Sequence, residues 1–169
     1  MSRIYERELK GILAGEKELL AKVTRSCSLE ERDAYFSILK KPFFVIRSAG
    51  SLQVDLIAIR NDFSFPIEVK SSKHAVVRFS RTEQLQAQAE TLLWECSRAG
   101  LIPVYAFRLK GMRGDSWRIF RMEMEKPPKG TASILYRRLP TLRKTKAGNR
   151  VLDWKLGMPL SQFIDYLCR

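Results

Sequence analysis

The sequence predicts an α/β domain in which a mixed central sheet carries helices on its flanks, and three observations lead there. From Leu52 to Lys70, apolar and polar residues alternate along two runs separated by Asn61 and Asp62, which is the period of a half-buried hairpin. Before and after it, Ile4 to about Val23 and Glu83 to Gly100 repeat their apolar residues at helical spacing. Two further apolar runs of strand length, Ile102 to Phe107 and Trp117 to Phe120, follow the second helix. Strand, hairpin, helix and strand in that order build a mixed sheet with helices on its faces.

The first helix, Ile4 to about Val23, gathers Tyr5, Leu9, Ile12, Leu13 and Leu20 on one stripe. Glu6 falls at the edge of that stripe, where a carboxylate either reaches along the rim of the core or simply favours the helix dipole in the first turn. Glu8 lies on the opposite edge and is the weaker candidate, while Gly11 and Gly15 fall on the polar side. Next, Ser28 and Glu31 form a capping box opening a second helix with Leu29, Tyr35, Phe36 and Leu39. Pro42 ends it before a strand from Phe43 to Arg47. The small residues Ser48 to Ser51 then let a backbone approach closely, a composition that favours phosphate contact at this corner, although Arg47 also reads as a solvated strand-end arginine and Ser51 as a turn serine.

The hairpin holds the chemistry. With the turn centred on Asn61 and Asp62, Asp55 lies opposite Glu68; a slip of two residues places it opposite Lys70. Both registers have the same parity, so Asp55, Glu68 and Lys70 share one face while Phe65, Ile67 and Val69 point to the other. Opposed residues have Cβ atoms roughly 4.5–5.5 Å apart, close enough for two carboxylates to hold one hard cation. Lys70 beside them can orient or deprotonate a water, or stabilise charge developing on a phosphate. A surface hairpin with an ordinary Glu–Lys pair is the bland alternative.

Downstream, a polar and basic stretch leads to a capping box of Ser80 and Glu83. It opens a helix in which Leu85, Ala89, Leu92, Leu93 and Cys96 recur at helical spacing, with Trp94 assigned to the core and Gln84 in the first turn. Gly100 caps that helix, and Gly111 to Gly114 turn between the two later strands. After Pro127 and Pro128, the basic residues Arg137, Arg138, Arg143, Lys144, Lys146 and Arg150 surround a Gly-Asn turn, which predicts a basic hairpin contacting DNA through Arg143, Lys144 and Lys146. A last helix begins at Pro159, with Leu160, Phe163, Ile164 and Leu167 on one face.

The 169 residues suit a single domain, with an inserted helix at about 26–42 and a basic C-terminal extension at about 126–169, and 45% apolar residues fill its core. Lys and Arg number 31 against 18 Asp and Glu, a net charge of +13, which points to a polyanionic partner through counterion release. No apolar run is long enough for a membrane span and the N-terminus is charged, so the expectation is a soluble, cytoplasmic protein. Cys27, Cys96 and Cys168 lie far apart and His74 is the single histidine, which argues against a zinc site or a disulfide scaffold.

The segment V-I-R-S-A-G-S-L-Q-V-D-L-I-A-I followed by I-E-V-K resembles the archaeal Holliday-junction resolvases, a branch of the PD-(D/E)xK nuclease superfamily. E-R-E-L at Glu6 to Leu9, I-P-V-Y-A-F at Ile102 to Phe107 and W-R-I-F at Trp117 to Phe120 follow in that family's order. The inserted helix departs from its pattern. The resemblance implies a restriction-endonuclease-like core and a structure-selective DNA endonuclease that makes paired nicks by metal-dependent hydrolysis. It implies Asp55, Glu68, the Val69 carbonyl and Glu6 as metal ligands, with magnesium as the cofactor and manganese as a substitute. Lys70 and Ser51 join them in catalysis, and Arg47, Ser51 and Gln84 meet DNA. Paired nicks at a four-way junction imply a homodimer, whose contact is expected on the apolar faces of the last helix and the inserted helix. The alternatives are another repair or restriction-type endonuclease on the same fold, or a non-catalytic DNA-binding protein.

Overall fold

The computed structural model describes residues 2–48, 54–79 and 83–169. Helix α1 (Ser2–Ala14) lays Leu9, Ile12 and Leu13 into the core. The single helix predicted to Val23 is in fact two, because Gly15 takes a left-handed φ of 76° and ends the first. Its N–H reaches the Ile12 carbonyl and that of Glu16 reaches the Gly11 carbonyl, the paired closure of a Schellman motif. Helix α2 (Lys17–Val23) then folds back, burying Leu20. Gly11, expected on the polar side, is buried: a Cβ there would collide with the Leu19 side chain, so its lack of a side chain is what admits α2.

Helix α3 (Leu29–Phe36) starts at the predicted capping box, with the Glu31 N–H on Ser28 Oγ at 3.1 Å and the Ser28 N–H on Glu31 Oε1 at 2.9 Å. Leu29 is not on its packing face; it is 76% exposed. Strand β1 (Phe44–Arg47) pairs antiparallel with β2 (Leu56–Ile59), and β2 pairs antiparallel with β3 (Ser64–Ser72). Arg60 locks the turn between β2 and β3, giving its guanidinium to Asp62, to the Lys41 carbonyl at 2.6 Å and to the Leu167 carbonyl at 2.5 Å while lying over the Phe43 ring.

Strand β4 (Val76–Arg78) leads to α4 (Glu83–Ala99), after which β5 (Val104–Leu109) runs parallel to β3 and β6 (Trp117–Arg121) antiparallel to β5. Helix α5 (Thr131–Arg138), strands β7 (Arg143–Lys144), β8 (Arg150–Asp153) and β9 (Met158–Pro159), and helix α6 (Leu160–Leu167) complete the chain. The result is a mixed six-stranded sheet in the order β1-β2-β3-β5-β6-β9. A second sheet, β4-β8-β7, was not anticipated. The basic tail hairpin forms as expected, but β4, distant in sequence, pairs with it, closing a separate apolar cluster of Phe107, Phe120, Leu142, Leu152 and Trp154.

Two expectations about apolar surface are corrected. Leu160, Phe163, Ile164 and Leu167 of α6 are buried in the main core and so complete the monomer, as does Tyr35 of α3, whereas Phe36 is partly buried and Leu39 is 36% exposed. Trp94, assigned to the core, is 59% exposed, with the Arg98 guanidinium 4.5 Å from its ring centre. Among the described residues, no helix is long and apolar enough to cross a membrane.

Candidate active site

The register of β2 on β3 pairs Leu56 with Ile67 and Ile59 with Ser64, so the residue preceding Leu56 faces the one following Ile67. Asp55 and Glu68 therefore oppose each other, the first of the two registers the sequence allows. The Asp55 N–H donates to the Ile67 carbonyl at 3.1 Å, and its own carbonyl accepts from the Ser48 N–H at 2.9 Å. Its carboxylate is fixed as well: Oδ2 accepts from the Val69 N–H at 2.7 Å. Along β3, Phe65, Ile67 and Val69 are buried while Glu68 and Lys70 emerge together on the opposite face, where Lys70 Nζ lies 3.1 Å from Glu68 Oε1.

Glu6 reaches this cluster from α1. It is only 7% exposed, and its Oε2 is 3.3 Å from Arg47 Nη2 at the end of β1. Arg47 Nε is buried with no hydrogen-bond partner among the described residues. Glu8, the weaker candidate, is occupied elsewhere: its Oε1 accepts from Trp117 Nε1 at 2.8 Å and from Arg108 Nε at 2.9 Å.

The carboxylates sense one another. Burial pushes the Asp55 carboxyl above its usual range, with the Glu6 charge adding to the rise and the Val69 N–H and Lys70 opposing it. Burial likewise raises Glu68; Lys70 opposes this, and the charges of Asp55 and Glu6 add to it. Two partly desolvated carboxylates, each raised further by the Glu6 charge, form a site that favours added positive charge. Among the described residues, however, no three Asp, Glu, His or Cys side chains are grouped to hold an ion. Asp55 and Glu68 form the opposed pair, and Glu6 is engaged by Arg47.

Ser51 and the Ser80 capping box lie outside the described residues, and of Gln84 only its place in the first turn of α4 is described. Arg143, Lys144 and Lys146 are exposed on the tail hairpin, whose turn closes with the Gly148 N–H on the Thr145 carbonyl at 2.8 Å. One neighbour of the site escaped the sequence reading. Tyr105 on β5 lies directly beside Glu68 in the parallel pair, on the same face. Burial and the Glu68 charge raise its phenol, which keeps it a hydrogen-bond donor. Its alternation within I-P-V-Y-A-F was legible, but not which strand it would lie against.

No protein-family model matches the chain, and no curated protein matches it in sequence. Among solved structures it is similar to that of Archaeoglobus fulgidus Hjc, a Holliday junction resolvase from an archaeal hyperthermophile. The two share 23% sequence identity with a TM-score of 0.49, over 85% of this chain and 95% of that one.

Proposed function

We propose that the protein is a magnesium-dependent, structure-selective DNA endonuclease, and most specifically a resolvase of four-way junctions. The observation that carries this reading is the opposed, partly desolvated pair Asp55 and Glu68 with Lys70 Nζ on Glu68, in a chain of net charge +13. The sequence resemblance of R-S-A-G-S, V-D-L and E-V-K adds the substrate class.

The residues fit a hard cation. Asp55 commits one oxygen to Val69 and Glu68 commits one to Lys70, which leaves a second oxygen on each. Asp55, Glu68 and the Val69 carbonyl would hold the ion, with Glu6 completing the set, and oxygen donors of this kind suit magnesium. Bound there, the ion would offset the charge gathering on the phosphate in the transition state. Lys70 would orient the attacking water and steady charge on the phosphate, and Arg47 would turn from Glu6 toward a phosphate oxygen. Cleavage should be tested on a synthetic four-way junction beside duplex, flap and fork DNA. Preference for the junction supports the resolvase; equal cutting of all four assigns the centre to a repair or restriction-type enzyme.

The exposed tail hairpin would supply affinity rather than chemistry. Neutralising Arg143, Lys144 and Lys146 together is expected to flatten the dependence of log affinity on log salt by about one unit per lost phosphate contact, equally across DNA sequences. An unchanged slope would assign the three side chains to solvent.

Two nicks in one junction call for two centres, and the described chain holds one, so the resolvase reading includes a homodimer. With the α6 face spent on the core, the exposed apolar row of Phe44 (69%) and Ile46 (42%), on the sheet face that bears Glu68, is the surface offered to a second copy. Light scattering at micromolar concentration is expected to give twice the chain mass, reduced to one chain by Phe44→Glu. A monomeric wild type, free and on junction DNA, contradicts the homodimer.

A further inference from the structure

The small sheet built from the tail is attached to the catalytic face, and its inward side carries a cation. Strand β8 pairs Leu152 with Val77 and Val151 with Arg78, and the pairing extends one residue further, with the Phe79 N–H on the Arg150 carbonyl at 3.1 Å. Alternation then puts Arg150 on the same side of the small sheet as Val77, Phe79 and Leu152, the side packed against the large sheet. Arg143, by contrast, faces outward beside Val151. Directly below, the Phe79 ring packs 5.5 Å from the Tyr105 ring, and Lys70 Nζ lies 5.9 Å from the Phe79 ring. Tyr105 is in turn the cross-strand neighbour of Glu68. Arg150 therefore lies on the side of the small sheet that faces Tyr105, half-buried, and forms no ion pair with a carboxylate among the described residues.

An inward-facing guanidinium without a carboxylate is costly unless an anion meets it. The acidic pair below it would draw a cation, and a phosphate bridging the two would satisfy both. We infer that Arg150 binds a nonbridging oxygen of the phosphate that lies over Asp55 and Glu68, with the Tyr105 hydroxyl as the positioning group that steadies the guanidinium. The C-terminal extension is then a wall of the active site, with Lys144, the exposed cross-strand neighbour of Arg150, on the same side of the small sheet and Arg143 on the other. The phenol oxygen is the acceptor in this part: burial and the Glu68 charge raise the phenol and the guanidinium acts in the opposite sense, so Arg150 lies within its electrostatic reach.

The inference rests on the nuclease reading, and its test separates the two. Arg150→Gln, Arg150→Lys and Tyr105→Phe should be compared with wild type in single-turnover cleavage of a four-way junction at saturating protein with magnesium. Thermal unfolding and the salt dependence of junction binding in EDTA complete the comparison. Arg150→Gln is expected to cut about a hundredfold more slowly, the usual cost of losing one donor to transition-state charge, and Tyr105→Phe about tenfold. Arg150→Lys should recover part of the rate, all three should keep the wild-type Tm, and Arg150→Gln should lower the salt slope by about one unit. Wild-type cutting by Arg150→Gln overturns the inference, as does a loss of rate matched by a loss of Tm with lysine no better than glutamine. If wild type itself does not cut, the nuclease reading fails, and the salt slope alone decides Arg150: a lowered slope upholds the phosphate contact and an unchanged one removes it.

Discussion

Asp55→Ala is expected to reduce cleavage of a four-way junction by about a thousandfold or more while leaving junction binding within a few fold. The two effects separate because they reside in different groups. Affinity comes from many Lys and Arg contacts to phosphate, spread over a chain with net charge +13, whereas Asp55 is one carboxylate fixed by the Val69 N–H at the bottom of the site. Glu68→Ala and Lys70→Ala should behave alike. Glu68 is the opposing carboxylate, and Lys70, 3.1 Å from it, would orient the attacking water in the proposed reaction. Removing a carboxylate from a net-positive protein should if anything tighten DNA binding slightly. Gel-based cleavage and anisotropy on the same labelled junction measure both quantities, and retained cleavage in Asp55→Ala would move the site elsewhere.

The second large effect concerns stability and lies where α3, the helix the sequence resemblance marks as an insertion, meets the central sheet. Asp115, buried in the turn before β6, accepts from the Tyr35 hydroxyl of α3 at 2.7 Å through Oδ1 and from the Ser161 N–H at the start of α6 at 2.8 Å through Oδ2. The same turn is tied to the insertion twice more, by the Asp115 N–H on Glu31 Oε2 at 3.2 Å and the Gly114 N–H on Ser26 Oγ at 2.9 Å. One carboxylate thus joins the insertion, the central sheet and the last helix. Asp115→Ala would leave a buried hydroxyl and a buried N–H without their acceptor, a cost of about 3–5 kcal/mol. In a domain of this size that corresponds to a fall in Tm of about 10 °C. Asp115→Asn, which keeps one acceptor oxygen, should lose less. An unchanged Tm in Asp115→Ala would mean that the insertion is held without this junction.

Much of the site could be read from local pattern, because period-2 alternation fixes which residues share a face wherever a turn sets the register. Asn61 and Asp62 set it, and Asp55 met Glu68 accordingly. The edge of the α1 stripe put Glu6 at the rim of the core, but its contact with Arg47 depends on where β1 ends and could not be read from the stripe. What local pattern could not supply was pairing between distant segments. The partner of Val76 to Arg78 is a strand beginning at Arg150, and no periodicity in either run names the other. Tyr105 beside Glu68, and Arg150 on the side of the small sheet that faces Tyr105, could not be read for that reason. The helix misread across Gly15 is a different failure: glycine at a helix end and glycine within a helix look alike until the Schellman bonds are seen. Trp94 shows the limit of helical spacing, since α4 leaves that flank to solvent.

The central claim is that the face bearing Asp55, Glu68 and Lys70 is a cation-dependent phosphodiester-cleaving centre. Incubating the wild-type protein with an end-labelled four-way junction, once with magnesium and once with EDTA, tests it most directly. The account predicts paired nicks in the magnesium reaction and intact strands in EDTA; intact strands in both reactions, or equal cutting in both, would contradict it.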